Sequence, residues 1–132
     1  SVGYTKMSKQ VLYTKQAPEP IGPYSQGIQS GPFLFLSGQI AINPATNELV
    51  EGDIVVESTQ VMENIKKLLQ EANCTFDNVV KTSIFLSDMG YFAQVNEVYG
   101  SYFSGTFPAR ETVAVLGLPK NVNVEISVIA AK

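Results

Sequence analysis

Histidine is missing from this chain altogether, and of everything the sequence lacks this constrains its chemistry most. Without an imidazole there is no side chain whose unperturbed pKa lies near neutrality, no His metal ligand and no Ser–His or Cys–His nucleophile pair. Catalysis therefore has to use carboxylates, Arg, Lys, Tyr, backbone groups or water. Cysteine occurs once, at Cys74. A single thiol excludes an internal disulfide framework, falls short of a structural zinc site and suits a reducing compartment. No stretch approaches the about 20 consecutive apolar residues of a membrane-spanning helix, and no signal-peptide pattern opens the chain. A soluble protein with no membrane partner is expected, cytoplasmic or, for a eukaryotic source, mitochondrial. Basic residues are also few: 9 Lys and Arg stand against 12 Asp and Glu, a net charge of −3. No local run of Lys or Arg compensates, which argues against nucleic acid as a partner.

What is present fits one domain. The 132 residues are 45% hydrophobic and 16% charged, a somewhat low charge fraction that points to part of the surface being covered by a partner. Residues 7–132 are expected to form that domain, while Ser1 to Lys6, ahead of Met7, reads as a vector-derived leftover or an N-terminal extension.

Along the chain, Val11 to Thr14 predicts a short strand. Pro18, Pro20, Gly22 and Pro23 then make Lys15 to Pro23 a stiff loop that holds Tyr24 and Ser25 at low entropic cost. Gln26 to Ser30 is extended, Gly31-Pro32 turns, and Phe33 to Ile42 predicts a central strand buried on both faces, with Ser37-Gly38-Gln39 as its polar interruption and Gly38 as a bulge. After a turn at Asn43 to Asn47, the apolar positions Ile54, Val61, Ile65, Leu68, Leu69 and Ala72 recur at helical spacing, with Asp53 as N-cap and Asn73 as a left-handed stop. Val79 to Leu86 predicts a strand, and Ser87 or Asp88 caps a second helix reaching Phe103. Glu111 to Leu118, a turn at Pro119-Lys120-Asn121 and Val122 to Ala131 predict a final hairpin. The sum is an α+β fold, a mostly antiparallel sheet with two helices on one face. Its other face is too apolar to meet water, so a second subunit is expected to cover it.

Two charges stand out. Arg110 follows Thr106-Phe107-Pro108-Ala109, where proline enforces an extended approach to a strand. A guanidinium at a strand mouth either docks a small carboxylate through two parallel donors or forms an intersubunit ion pair. Glu125 lies within Val122 to Ala130 and shares a strand face with Asn123, Ser127 and Ile129. It is either a solvated side chain or a half-buried carboxylate poised to accept a proton. Tyr24 is core or closes a pocket; Ser37 and Gly38 present backbone groups to a ligand or only kink a strand; Asn96 projects from a helix. Cys74, with nothing to activate it, reads as structural.

The motifs Gly22-Pro23-Tyr24-Ser25-Gln26, Ser37-Gly38-Gln39-Ile40, Val79-Val80-Lys81-Thr82, Val95-Asn96-Glu97-Val98-Tyr99, Phe107-Pro108-Ala109-Arg110, and Leu118-Pro119 leading into Val124-Glu125-Ile126 occur in this order. As a set they resemble the Rid (YjgF) family of reactive-intermediate deaminases, most of all its RidA group, over Met7 to Lys132. The resemblance implies a chorismate-mutase-like subunit in a homotrimer, with a central barrel and clefts between subunits. It also implies hydrolysis of 2-aminoacrylate and related 2-imino acids to 2-keto acids and ammonia, with neither metal nor organic cofactor. By the same resemblance Arg110 binds the substrate carboxylate and Glu125 positions or activates water. Tyr24, Ser37, Gly38 and Asn96 line the cleft. Thr112 stands where RidA proteins often carry Cys, so no thiol chemistry carries over, although Thr112 is still expected to line the pocket. The alternatives are a non-catalytic binder of small carboxylates and an RNA-cleaving translation inhibitor, the latter disfavoured by the acidic balance and absent histidine.

Overall fold

A computed structural model describes residues 8–132; Ser1 to Lys6 lie outside them. The strands are β1 (Gln10–Leu12), β2 (Gly27–Ser30), β3 (Phe33–Gln39), β4 (Ile42–Asn43), β5 (Glu48–Leu49), β6 (Val79–Leu86), β7 (Ala109–Ala114) and β8 (Val124–Ala131), and the helices are α1 (Ile54–Glu71) and α2 (Phe92–Gly100). Six strands form one sheet in the order β1-β2-β3-β8-β6-β7, and β4 with β5 makes a separate two-stranded ribbon. Every pairing in the main sheet is antiparallel except β6 with β7.

That one parallel pair explains why both helices lie on the same side. A parallel neighbour needs a crossover, which α2 provides between β6 and β7. Since β3 and β6 each run antiparallel to β8, they are parallel to one another, and α1 crosses between them. Right-handed crossovers that step the same way along a sheet pass over the same face. The two helices and that face make one core, in which Leu34, Val61, Ile65, Leu68, Leu69, Ile84, Leu86, Val124, Ile126 and Ala130 are wholly buried. Asp53 caps α1 by accepting from the Val56 N–H at 3.0 Å, a contact of about 1 kcal/mol. Beyond the helix, Asn73 takes the expected left-handed conformation at φ 58°.

Three expectations need correcting. Glu111 to Leu118 and the last strand do not form a hairpin. β7 pairs only with β6, at the sheet's edge, and β8 inserts between β3 and β6. The burial explains the choice: every second residue of β8 from Val124 to Ala130 is sealed under the helices, which suits a central strand, while β7 is half-exposed, which suits an edge. The Phe33 to Ile42 segment is not one strand buried on both faces either. Phe33 and Phe35 are each 44% exposed, so the face opposite the helices is open in the single chain, and the strand ends at Gln39 after a register shift between Leu36 and Gln39. That shift is the bulge expected at Ser37-Gly38. Finally, Asp88 caps a short 3₁₀ turn over Met89–Tyr91, and α2 begins after it and stops at Gly100 rather than at Phe103.

Candidate active site

The sheet register divides the expected site residues into two groups on opposite faces. Arg110 pairs with Thr82, and Glu125 pairs with Phe85. Side chains alternate along β6, so Thr82 and Phe85 point to opposite sides, and their partners follow them. Thr82 is buried beneath the helices. Arg110 therefore belongs to the helix-covered face and Glu125 to the open one.

On the helix face, Arg110 Nη1 donates to Asn96 Oδ1 at 2.7 Å. The guanidinium carbon lies 5.1 Å from the Tyr99 ring centroid and 5.7 Å from that of Phe92. All three partners come from α2, at positions 92, 96 and 99, which helical spacing places on one stripe. Among the described residues the one ion pair is Lys81 Nζ to Glu111, at 2.9 Å on exposed side chains, so Arg110 has no carboxylate of its own there. Its charge is met by ring faces and an amide, and N–H donors remain for a ligand. The guanidinium opens into a cavity of about 320 Å³ shared with Asn96, Tyr99, Gly100, Phe107 and Pro108. Thr112, two residues on and on the same face, pairs with Ile84. Its Oγ1 is shut off from water with no hydrogen-bond partner among the described residues.

On the open face, Tyr24, Ser37, Gly38 and Glu125 share a cavity of about 410 Å³ whose walls include Ile21 and Pro119. The bulge builds its floor. Ser37 is held from both its backbone and its side chain: its N–H donates to Gln26 O at 2.9 Å and its hydroxyl to Ser25 O at 2.5 Å. Gly38 then passes beneath the Glu125 carboxylate so closely that a Cβ on it would lie 2.2 Å from Oε2. Only glycine leaves that space free. The Glu125 carboxylate is half-buried and has no hydrogen-bond partner among the described residues, and burial raises its pKa above the ordinary carboxylate value. The Tyr24 hydroxyl accepts from the Ile21 N–H at 3.2 Å, which folds the ring back on the proline-rich loop.

These halves can be compared with known proteins. A family model described as endoribonuclease L-PSP matches residues 14–132. A RutC family protein of Pyrococcus horikoshii is 51% identical over 124 residues, covering 94% of this chain and 98% of the relative. The chain belongs to the Rid family. A crystal structure of a conserved Rid family protein from Yersinia pestis superposes with a TM-score of 0.92 at 51% identity, covering 95% of this chain and all of that one. The 2-iminobutanoate/2-iminopropanoate deaminase of Mus musculus is 43% identical over 124 residues, 94% of this chain and 92% of the relative. In this Rid protein, then, the resemblance read from motifs extends to the whole described fold.

Sequence reasoning missed three contributors. Two are Tyr99 and Phe92, for which the sequence reading gives no role beside Arg110; in the structure their rings flank the guanidinium, and Asn96, expected as a cleft residue, binds it. The signal was a lone asparagine inside an aromatic stripe, Phe92-Asn96-Tyr99-Phe103. Gln26, 2% exposed, has its carboxamide wholly engaged by the 14–18 segment, accepting from Thr14 N–H and donating to Thr14 O, Ala17 O and Pro18 O. It fixes one wall of the Glu125 cavity. Among the described residues no group of three or more His, Cys, Asp or Glu is placed to hold a metal ion.

Proposed function

We propose that this chain is a hydrolytic deaminase of 2-imino acids and their enamine tautomers, 2-aminoacrylate among them, that works as a homotrimer. The observation that carries this reading is the guanidinium of Arg110, held by rings and an amide without a carboxylate partner among the described residues. A site that keeps a cation unpaired is matched to an anionic ligand, and a planar fork is matched to a carboxylate. Relatives named as imine deaminases support the same substrate class.

The separation of Arg110 and Glu125 then has a consequence. One subunit offers each half on a different face, so a working cleft joins the Arg110, Asn96 and Thr112 half of one copy to the Tyr24, Ser37, Gly38 and Glu125 half of the next. The half-exposed Phe33, Phe35 and Val113 give a reason for copies to associate. In the cleft Arg110 fixes the carboxylate and so orients C2. Glu125 takes a proton from water as the oxygen adds to C2, the C=N electron pair passes to nitrogen, and Glu125 hands that proton to the nitrogen to give the carbinolamine. Glu125 then takes the proton of the C2 hydroxyl and passes it to the nitrogen, so that ammonia leaves as the C–N bond breaks and the 2-keto carbonyl forms. An imine is already electrophilic, so orientation and one carboxylate base suffice.

Arg110→Ala is expected to lower the rate of ammonia release from enzymatically generated 2-aminoacrylate by about 10²-fold or more, as loss of a charge-assisted carboxylate contact does, with the fold and assembly retained. Wild-type acceleration in this variant overturns the reading. The description of the family model as an endoribonuclease favours RNA cleavage as a second reading. The net charge of −3 weighs against it, and RNA cleavage by purified protein that falls steeply with salt and is lost with Arg110 would reinstate it.

A further inference from the structure

We propose that Tyr99 is a positioning residue that sets the plane in which the Arg110 guanidinium meets its ligand; this rests on reading Arg110 as the anchor for the substrate carboxylate. Tyr99 is 4% exposed and part of the core, where a phenyl ring alone would fill the space. Its hydroxyl nevertheless shares a 2.8 Å hydrogen bond with the hydroxyl of Thr82. Thr82 is no arbitrary partner, being the residue directly across the ladder from Arg110. The ring is thus fixed at one end by α2 and at the other by the strand beside the arginine.

Neighbouring groups remove the freedom that is left. Phe103 packs on the Tyr99 ring at a centroid distance of 4.8 Å, and Phe92 stands 5.7 Å from the guanidinium carbon. Asn96 occupies one N–H of the fork at Nη1. Arginine is a flexible side chain, and ordering it only when a ligand arrives would weaken binding. A tethered ring beneath the guanidinium orders it beforehand, so that its unoccupied N–H groups face the cavity lined by Phe107 and Pro108. Thr82 acts through Tyr99 and has no contact with the ligand in this arrangement.

The test is equilibrium binding of 2-oxobutanoate and its uncharged amide, 2-oxobutanamide, to the full chain by calorimetry, with thermal melts alongside. Loss of a cation–π contact weakens binding by roughly 2- to 30-fold. Tyr99→Leu is therefore expected to bind the carboxylate about tenfold more weakly, and the double variant Thr82→Val with Tyr99→Phe, which keeps the ring but cuts its tether, about threefold more weakly. Amide affinity should stay within about twofold of wild type in both. If Tyr99→Leu does not fold, the double variant carries the test, since it replaces a hydroxyl pair by apolar groups of similar shape. Wild-type carboxylate affinity in the folded variants, or parallel weakening of both ligands, overturns the positioning role. Wild-type 2-oxobutanoate binding by Arg110→Ala instead overturns the carboxylate-anchor reading beneath it.

Discussion

Arg110 and Glu125 are both charged residues on strands of one sheet, yet the fold surrounds them differently. Arg110 sits on an edge strand against a helix that offers two ring faces and an amide, partners that stabilise a cation without neutralising it. Glu125 sits on a central strand above a glycine bulge, its carboxylate without a hydrogen-bond partner among the described residues and buried enough to disfavour its charge. On the function proposed above, the first half would supply the anchor for a carboxylate and the second the base.

The comparison breaks most visibly if the base is removed and the anchor kept. Glu125→Gln is expected to lower kcat by about 10²-fold, the usual scale of a general base, while leaving the affinity for 2-oxobutanoate within about threefold of wild type. Steady-state ammonia release and calorimetry measure the two separately. Equal loss of both would mean that Glu125 binds substrate rather than acting on water, and full ammonia release by the variant would mean that Glu125 is not the base.

A gentler way to disturb the same half is Gly38→Ala. The added methyl would lie 2.2 Å from Glu125 Oε2, against the far end of a flexible side chain rather than against backbone. The carboxylate can move aside, so stability should change by less than about 1 kcal/mol. Catalysis depends on where that carboxylate points, and kcat is expected to fall about tenfold with little change in the melting temperature. A drop in stability without a drop in kcat would show that the bulge serves the sheet and not the base.

How much of this was legible beforehand follows from which forces are local. The helix α1 is written in its apolar spacing and in Asp53 and Asn73, and all of it appears in the fold. The bulge at Ser37-Gly38 was visible because glycine inside an apolar strand has few other uses. Strand order was not visible: β7 and β8 are neighbours in sequence, but only the packing of Val124, Ile126 and Val128 under both helices shows that β8 belongs in the middle. The opposite placement of Arg110 and Glu125 depends on that same register, so no spacing between them in the chain could have revealed it. The role of Asn96 needed the helix and β7 together.

The smallest expected effect concerns stability rather than rate, and it tests the electrostatic contrast directly. Burial raises the folded-state pKa of Glu125 above 4.5, so between the unfolded and folded values the native protein holds a proton that the unfolded chain has released. Stability then falls as pH rises through that window, and above it the ionised carboxylate is a net burden on the fold. Glu125→Gln carries no charge to desolvate. Its melting temperature relative to wild type should therefore be higher at pH 8 than at pH 4, a difference that thermal melts at the two pH values would detect. In the proposed trimer the Arg110 of one copy faces the Glu125 of the next, so Arg110→Gln should enlarge the loss of stability between pH 4 and pH 8, because it removes the cation that favours the ionised carboxylate. A pH dependence equal to that of wild type would mean that the two halves do not meet between subunits.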